Sequence, residues 1–262
     1  MEITVLASGS KGNATLVQTE GLTLLIDAGI SYLQLQKRLM FHQINITKID
    51  AVLITHEHGD HIKGLDVLLR KEKSQVFLTE HTMNSTPDKL QDSIKLSQFH
   101  LIKPNEKFMI GGLEIMPFSV SHDSSDAVGY VLYNKGKKFV YCTDIGYLPD
   151  RDFDILRGAN AYVFEANYDV TLLFTSARPF YLKQRIDSVK GHMSNTDSAY
   201  NMVSLVGINT KYIILAHPSE ECNTAELALE TYRDVFKEYD KNIDDYVVLV
   251  ASQEEGAKTI KI

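Results

Sequence analysis

The chain has 262 residues, 44% of them hydrophobic and 23% charged, which is ordinary globular composition with enough length for a sizeable core. Its formal net charge of −7 argues against indiscriminate coating of nucleic acid, which calls for a basic domain, while leaving room for a local basic groove. Two cysteines are too few for a disulfide framework, no apolar stretch nears the ~20 residues of a membrane helix, and residues 1–8 lack signal-peptide character, so a reduced, cytoplasmic protein with no membrane association is expected.

In chain order, residues 2–7, 14–18 and 22–26 read as strands, with turn chemistry at Ser8-Gly9-Ser10-Lys11-Gly12-Asn13 and at Glu20-Gly21. Ser31 caps a predicted helix that runs to about Met40 and is striped by Leu33, Leu35 and Leu39. The apolar run 49–54 reads as a buried strand that delivers Thr55-His56-Glu57-His58-Gly59-Asp60-His61 to a loop at the sheet edge. A helix from about Asp60 carries Ile62, Leu65, Leu68 and Leu69 inward, and another lies near 80–91. Strands follow at 113–120, 127–133, 138–142, 161–164 and 212–215, with helices at 149–157, 195–205 and 223–238. No repeat, low-complexity tract or linker divides the chain, so one domain over 1–262 is expected, with two packed sheets and helices outside them.

Three imidazoles and a carboxylate within six residues, His56, His58, Asp60 and His61, are hard to explain without metal. Imidazole nitrogen is the usual ligand for borderline divalent ions, and a carboxylate adds a hard oxygen and a negative charge. Three more donors occupy the same kind of place, each at the exit of an apolar strand. His122 follows 115–121, Asp144 follows 139–143 and His217 follows 212–216.

This ordered set resembles the metallo-β-lactamase superfamily, whose His-x-His-x-Asp-His motif and later His, Asp and His hold two metals. The resemblance spans essentially the whole chain and implies an α/β fold, a four-layer αβ/βα sandwich with the site at one rim. Carried over by position, His56, His58 and His122 hold one ion, Asp60, His61 and His217 the other, and Asp144 bridges them; Asp27 braces the ligand loop from behind. A closer resemblance is to the YycJ (WalJ) branch. It rests on 7–13, on Phe164-Glu165-Ala166-Asn167-Tyr168-Asp169, on Gly191-His192-Met193-Ser194-Asn195, on 217–223 and on Ala251-Ser252-Gln253. That branch is associated with 5′ to 3′ exonuclease action on DNA. The chain departs from its pattern at Tyr168, where the branch carries a His, and at Pro218, where it carries a Leu.

The expected reaction is therefore attack of a metal-activated hydroxide on a phosphodiester. Asp60 and His192 are the candidate catalytic residues: Asp60 holds the attacking water while ligating metal, and His192 resembles a non-ligand His set against the scissile phosphate. For substrate binding, the turn with Ser8, Ser10 and Asn13 offers amides and small side chains to an anion. A second candidate track comprises Arg178, Lys183, Arg185 and Lys190 with Phe180 and Tyr181 interleaved, suited to phosphates and unpaired bases. Lys63, Arg70, Lys71 and Lys73 read as helix surface, 220–245 as exposed helix, His42, His81 and His100 as surface or loop, and Cys142 and Cys222 as reduced packing residues. The donor mix suits two Mn²⁺ or Zn²⁺ ions. The alternatives are hydrolysis of a small cyclic phosphodiester or thioester at the same centre, which the acidic charge favours, and a non-catalytic metal-stabilised binding module.

Overall fold

Strands that are apolar on both faces need cover on both sides. The computed structural model, which describes residues 1–262, supplies it by packing two sheets together with helices outside each. The strands are β1 (Glu2–Ala7), β2 (Ala14–Thr19), β3 (Leu22–Ile26), β4 (Ala51–Leu53), β5 (Gln75–Thr79), β6 (Phe99–Ile102), β7 (Phe108–Ile110), β8 (Leu113–Ser119), β9 (Val128–Asn134), β10 (Lys137–Cys142), β11 (Ala161–Glu165), β12 (Tyr212–Ala216), β13 (Val247–Val250) and β14 (Ile260–Lys261). One sheet has the order β14-β1-β2-β3-β4-β5-β6 and the other β13-β12-β11-β10-β9-β8-β7. In each, antiparallel hairpins lead into a parallel half: β3 to β6 in the first sheet, β10 to β13 in the second.

Side-chain alternation sorts these strands into three apolar layers. Phe139 and Tyr141 of β10 and Ala161 and Val163 of β11 enter the layer between the sheets, where they meet Ile3, Val5, Leu24, Ile26 and Leu53. Val140, Cys142, Tyr162 and Phe164 point outward, under α9 (Asn195–Leu205) and α10 (Ala225–Glu238). On the far side Leu25, Val52 and Val76 lie under α1 (Tyr32–Phe41), α3 (Leu65–Glu72) and α5 (Asp88–Lys95). The helix–sheet–sheet–helix order is the expected four-layer sandwich. No helix is long and apolar enough to cross a membrane.

The differences from the sequence reading have local causes. The helix expected from Asp60 is broken into α2 (Gly59–Ile62) and α3 at Gly64, whose N–H donates to Ala28 O at 2.7 Å. A Cβ at Gly64 would lie 2.0 Å from Ile30 O, so the bend depends on glycine. The helix expected over 80–91 divides at Pro87 into α4 (Glu80–Ser85) and α5, because Pro87 has no N–H to continue a ladder. The 149–157 helix is a 3₁₀ turn followed by α6 (Phe153–Leu156). The stretch 220–245 is not simply exposed: Ala228, Tyr232, Val235 and Phe236 of α10 belong to the core. His100 is at the surface as expected, but on a strand rather than a loop: it stands on β6, stacked on Phe77. Cys142 and Cys222 are free and buried in different clusters. Two helices, α7 (Val170–Thr175) and α8 (Phe180–Ile186), were not anticipated; with Tyr168, Leu173, Ile186 and Cys222 they form a small cluster of their own.

Candidate metal centre

The parallel strands of both sheets end at one rim, and the titratable side chains of interest follow those ends. Three of them, Asp27 after β3, Asp144 after β10 and His217 after β12, have φ of 61°, 55° and 56°. The left-handed region is uncommon for residues other than glycine, with Asp and His among the types that enter it most readily. Each turns its strand sharply at the rim, so that the side chain faces the neighbouring exits. The seven expected donors come together there in two groups. His56 Nε2 and His122 Nε2 lie 3.1 and 3.3 Å from His58 Nδ1. His61 Nε2 lies 3.1 Å from Asp144 Oδ2 and 3.4 Å from Asp60 Oδ2, and His217 Nε2 is 3.5 Å from Asp144 Oδ1 and 3.7 Å from Asp60 Oδ2. Asp144 Oδ1 is also 3.8 Å from His122 Nε2, so this carboxylate touches both groups.

These separations test whether a metal fits. Donors about 2.0–2.1 Å from a tetrahedral ion sit roughly 3.4 Å from one another, the middle of the range found. Asp144 Oδ2 and His217 Nε2 are buried and make no hydrogen bond, despite polar atoms within 4 Å. Both atoms lie within the same donor group, close enough to share one ion.

The remaining ring nitrogens fix which atom faces that point. His122 Nδ1 donates to Gly191 O at 3.2 Å and His61 Nδ1 to the Asp27 carboxylate at 2.8 Å, since neither oxygen can donate; Nε2 is left as the donor toward metal in both. Thr55 Oγ1 donates to Asp27 and accepts from His56 Nδ1 at 3.0 Å, giving His56 the same orientation. Asp27 itself is buried completely and also accepts from Thr55 N at 2.9 Å.

The electrostatics separate the two groups. Burial and the neighbouring His61 ring push His56 well below the ordinary histidine range, and burial lowers His122, so both are neutral at neutral pH and available to a metal. Around His217 burial also opposes charge, but the Asp144, Asp60 and Glu165 carboxylates outweigh it and raise the pKa to about 9; His61 is raised in the same way by Asp27 and Asp144. Burial works against the Asp60 and Asp144 charges as well, and the His217 and His61 rings outweigh it, holding both carboxyls below their usual range. Protons on His217 and His61 thus balance these carboxylates in metal-free protein, and a divalent ion bound there would replace them. His217 is raised from 6.5, so its contribution to metal-free stability is complete below pH 6.5 and is lost as pH rises through about 9. Metal-free protein is expected to lose melting temperature across that window, and Zn²⁺-loaded protein to lose much less, by calorimetry. Equal slopes would show that these rings carry no exchangeable proton.

The donors open into a cavity of about 250 Å³, lined by Ser10, His58, Asp60, His192, Arg178 and Arg185, among others. His192 Nδ1 donates to Glu165 Oε1 at 2.7 Å, leaving Nε2 free. Gly191 makes this placement possible, because a Cβ there would lie 2.1 Å from Ile186 O at the end of α8. Glu165, fully buried, also accepts from Ile145 N at 2.6 Å. Sequence reasoning passed over Glu165 as a functional residue. The signal was present, since it ends β11 just as the other donors end theirs.

Several expected substrate contacts are corrected. Lys183 is only 8% exposed and does not line the cavity, and its ammonium donates to Phe174 O and Ser176 O, both at 2.7 Å, closing the end of α7. Ser8 Oγ accepts from His217 N at 2.7 Å, and Asn13 Nδ2 reaches Asp60 Oδ2 at 3.3 Å, so these two hold the site from behind. The turn's amides at positions 8, 9, 11, 12 and 13 all have acceptors within the protein, leaving Ser10 alone facing the cavity. Arg178 and Arg185 do line it, with Nε atoms donating to Glu221 at 2.9 Å and Asp123 at 2.7 Å. Lys190 is exposed, as are Phe180 and Tyr181. Tyr168 does not line the cavity; its hydroxyl donates to Asp187 Oδ1 at 2.5 Å, tying down the end of α8.

Comparison with known proteins gives matching results. A model described as "Beta-lactamase superfamily domain" matches residues 23–217. The chain is 38% identical to the exodeoxyribonuclease YycJ of Bacillus anthracis over 238 residues, 91% of this chain and 90% of that protein. It is 39% identical to the exodeoxyribonuclease WalJ of Streptococcus pneumoniae strain D39 over 225 residues, 86% of this chain and 84% of that one. Among solved structures, the metallo-β-lactamase fold protein YhfI from Bacillus subtilis superposes with a TM-score of 0.70 at 15% identity, covering 99% of both chains.

Proposed function

The chain belongs to the beta-lactamase superfamily as a metallo-β-lactamase-fold hydrolase, and from that premise we propose that it is a 5′ to 3′ exodeoxyribonuclease acting on DNA ends or single strands with two divalent ions. The observation that carries the reading is the juxtaposition of the donor cluster with His192, held from behind by buried Glu165, at one cavity edged by two arginines. The exodeoxyribonuclease names of relatives at 38% and 39% identity support DNA as the substrate. His56, His58 and His122 would hold one ion and Asp60, His61 and His217 the other, with Asp144 placed between the two groups. Ions bound there would lower the pKa of a coordinated water and offset charge developing on phosphorus.

The protein's own groups do the rest. Asp60, on the cavity wall, orients the attacking water. His192 presents Nε2 to the leaving oxygen and passes it a proton, while buried Glu165 fixes the orientation of the ring. Arg178 and Arg185 exchange their carboxylate partners for non-bridging phosphate oxygens, a match that suits the planar guanidinium. Exposed Phe180 and Tyr181 beside them offer faces on which unpaired bases stack.

The test is a metal-by-substrate screen. With Mn²⁺ or Zn²⁺, a 3′-labelled single strand should shorten progressively from its 5′ end, and a block on that end should stop it. Inertness toward every DNA end, with turnover of a cyclic dinucleotide or a thioester, would instead select the small-substrate hydrolase.

A further inference from the structure

The side chain of Gln253, near the C-terminus, hydrogen-bonds to none of the seven donors, yet it holds the turn behind them. Its Oε1 accepts from Lys11 N at 2.7 Å and its Nε2 donates to Gly12 O at 2.9 Å. Ser8 N donates to Ser252 O at 3.2 Å, so main chain and side chain of the tail grip both ends of the same turn. Gly9 makes the fit possible: its φ is 145°, and a Cβ there would lie 2.8 Å from Gln253 Oε1. The tail is anchored to the other sheet, because Ala251 N donates to Leu215 O at 2.8 Å, two residues before His217.

The gripped turn reaches one group of donors only. Ser8 Oγ accepts from His217 N at 2.7 Å. Asn13 N donates to Asp60 O at 2.8 Å, Asn13 Nδ2 lies 3.3 Å from Asp60 Oδ2 and 3.1 Å from His61 Nε2, and Asn13 O accepts from Gly29 N. The packing leaves no slack, since a Cβ on Gly29 would sit 1.6 Å from Asp60 O. His56, His58 and His122 receive no hydrogen bond from this turn; their supports are Thr55 and Gly191.

We propose that residues 8–13 and Gln253 form a brace for a single ion, the one held by Asp60, His61 and His217, and that Gln253 acts as a positioning residue setting its affinity independently of the other ion. This rests on the two-ion reading above. Partners that orient metal ligands from behind typically change metal affinity by about 10- to 100-fold when removed. Here the influence is passed through a turn from a tail more than two hundred residues away.

The test is a calorimetric titration of chelator-stripped, full-length protein with Zn²⁺, with metal content after dialysis as a second readout. His58→Ala marks which of the two binding steps belongs to the other ion. Gln253→Ala should weaken only the remaining step, by about 10- to 100-fold, and Ser8→Ala, a smaller change that removes one hydroxyl, should weaken the same step. Gln253→Glu, which keeps the acceptor for Lys11 N and loses the donor to Gly12 O, should fall between. Excess Zn²⁺ should restore Gln253→Ala to two bound ions. Equal weakening of both steps, or of neither, overturns the brace. A wild-type protein that binds fewer than two ions overturns the two-ion reading and the brace together. Two tightly bound ions without DNA cleavage would strike only the substrate assignment, because the titration contains no substrate.

Discussion

Asp144→Ala is expected to lower cleavage of the DNA substrate by about a thousandfold or more and to leave protein that retains at most one ion. Asp144 is the single side chain with an oxygen near each donor group, Oδ2 at 3.1 Å from His61 Nε2 and Oδ1 at 3.5 and 3.8 Å from His217 and His122. On the two-ion reading, its removal takes away the charge that would let two cations sit side by side. It also strips His61 and His217 of a carboxylate that holds their protons, and an uncompensated buried charge typically costs about 3–5 kcal/mol. The variant should therefore melt lower than wild type without metal at neutral pH, and Zn²⁺ should recover less of the difference. Asp144→Asn keeps the shape and one oxygen, so it should fold better while remaining nearly inactive. Single-turnover cleavage together with metal content would decide the matter. Two retained ions with activity within tenfold of wild type would remove Asp144 from the bridge.

The convergence of these donors was readable because it depends on chain order and alternation. An apolar run followed by His or Asp places a donor at a strand exit, and the run 49–54, β10 and β12 all do so. The edge strands β6 and β7, with only one flanking partner each, carry no clean alternation and went unread, as did the short α7 and α8. Lys183 shows why composition misled over α8. A cation beside Arg185 reads as surface, but the end of α7 leaves carbonyls that need a donor, and only the folded chain brings them within reach. Ser8 and Asn13 misled in a related way. A Gly- and Ser-rich turn looks like an anion cradle until its amides are traced to Asp60, Gln253 and Ser252, partners far away in sequence. The left-handed backbone at Asp27, Asp144 and His217 leaves no mark in a pattern of residue types, although it is what aims two of the seven donors.

His192→Ala is expected to retain two ions and bind DNA nearly as wild type, yet to lose about 10²–10⁴ in kcat, the usual contribution of a positioned general acid. The geometry separates this residue from the ligands. Its Nδ1 is committed to Glu165 at 2.7 Å, and its ring stacks on the His217 ring with centroids 5.1 Å apart and planes 14° apart. If Nε2 gives a proton to the leaving oxygen, the deficit must depend on that oxygen. A p-nitrophenyl phosphodiester, whose leaving group needs no proton, should bring the variant to within about tenfold of wild type. Glu165→Gln extends the test. The amide oxygen can still accept from Ile145 N, but the NH₂ then faces His192 Nδ1 and cannot accept from it, so the imidazolium loses its partner. That variant should lose rate on DNA, keep its metal, and show the same recovery on the activated ester. An equal deficit on both substrates would make His192 a group that positions phosphate, and loss of an ion would make it a ligand, as its place beside Glu165 and His217 permits.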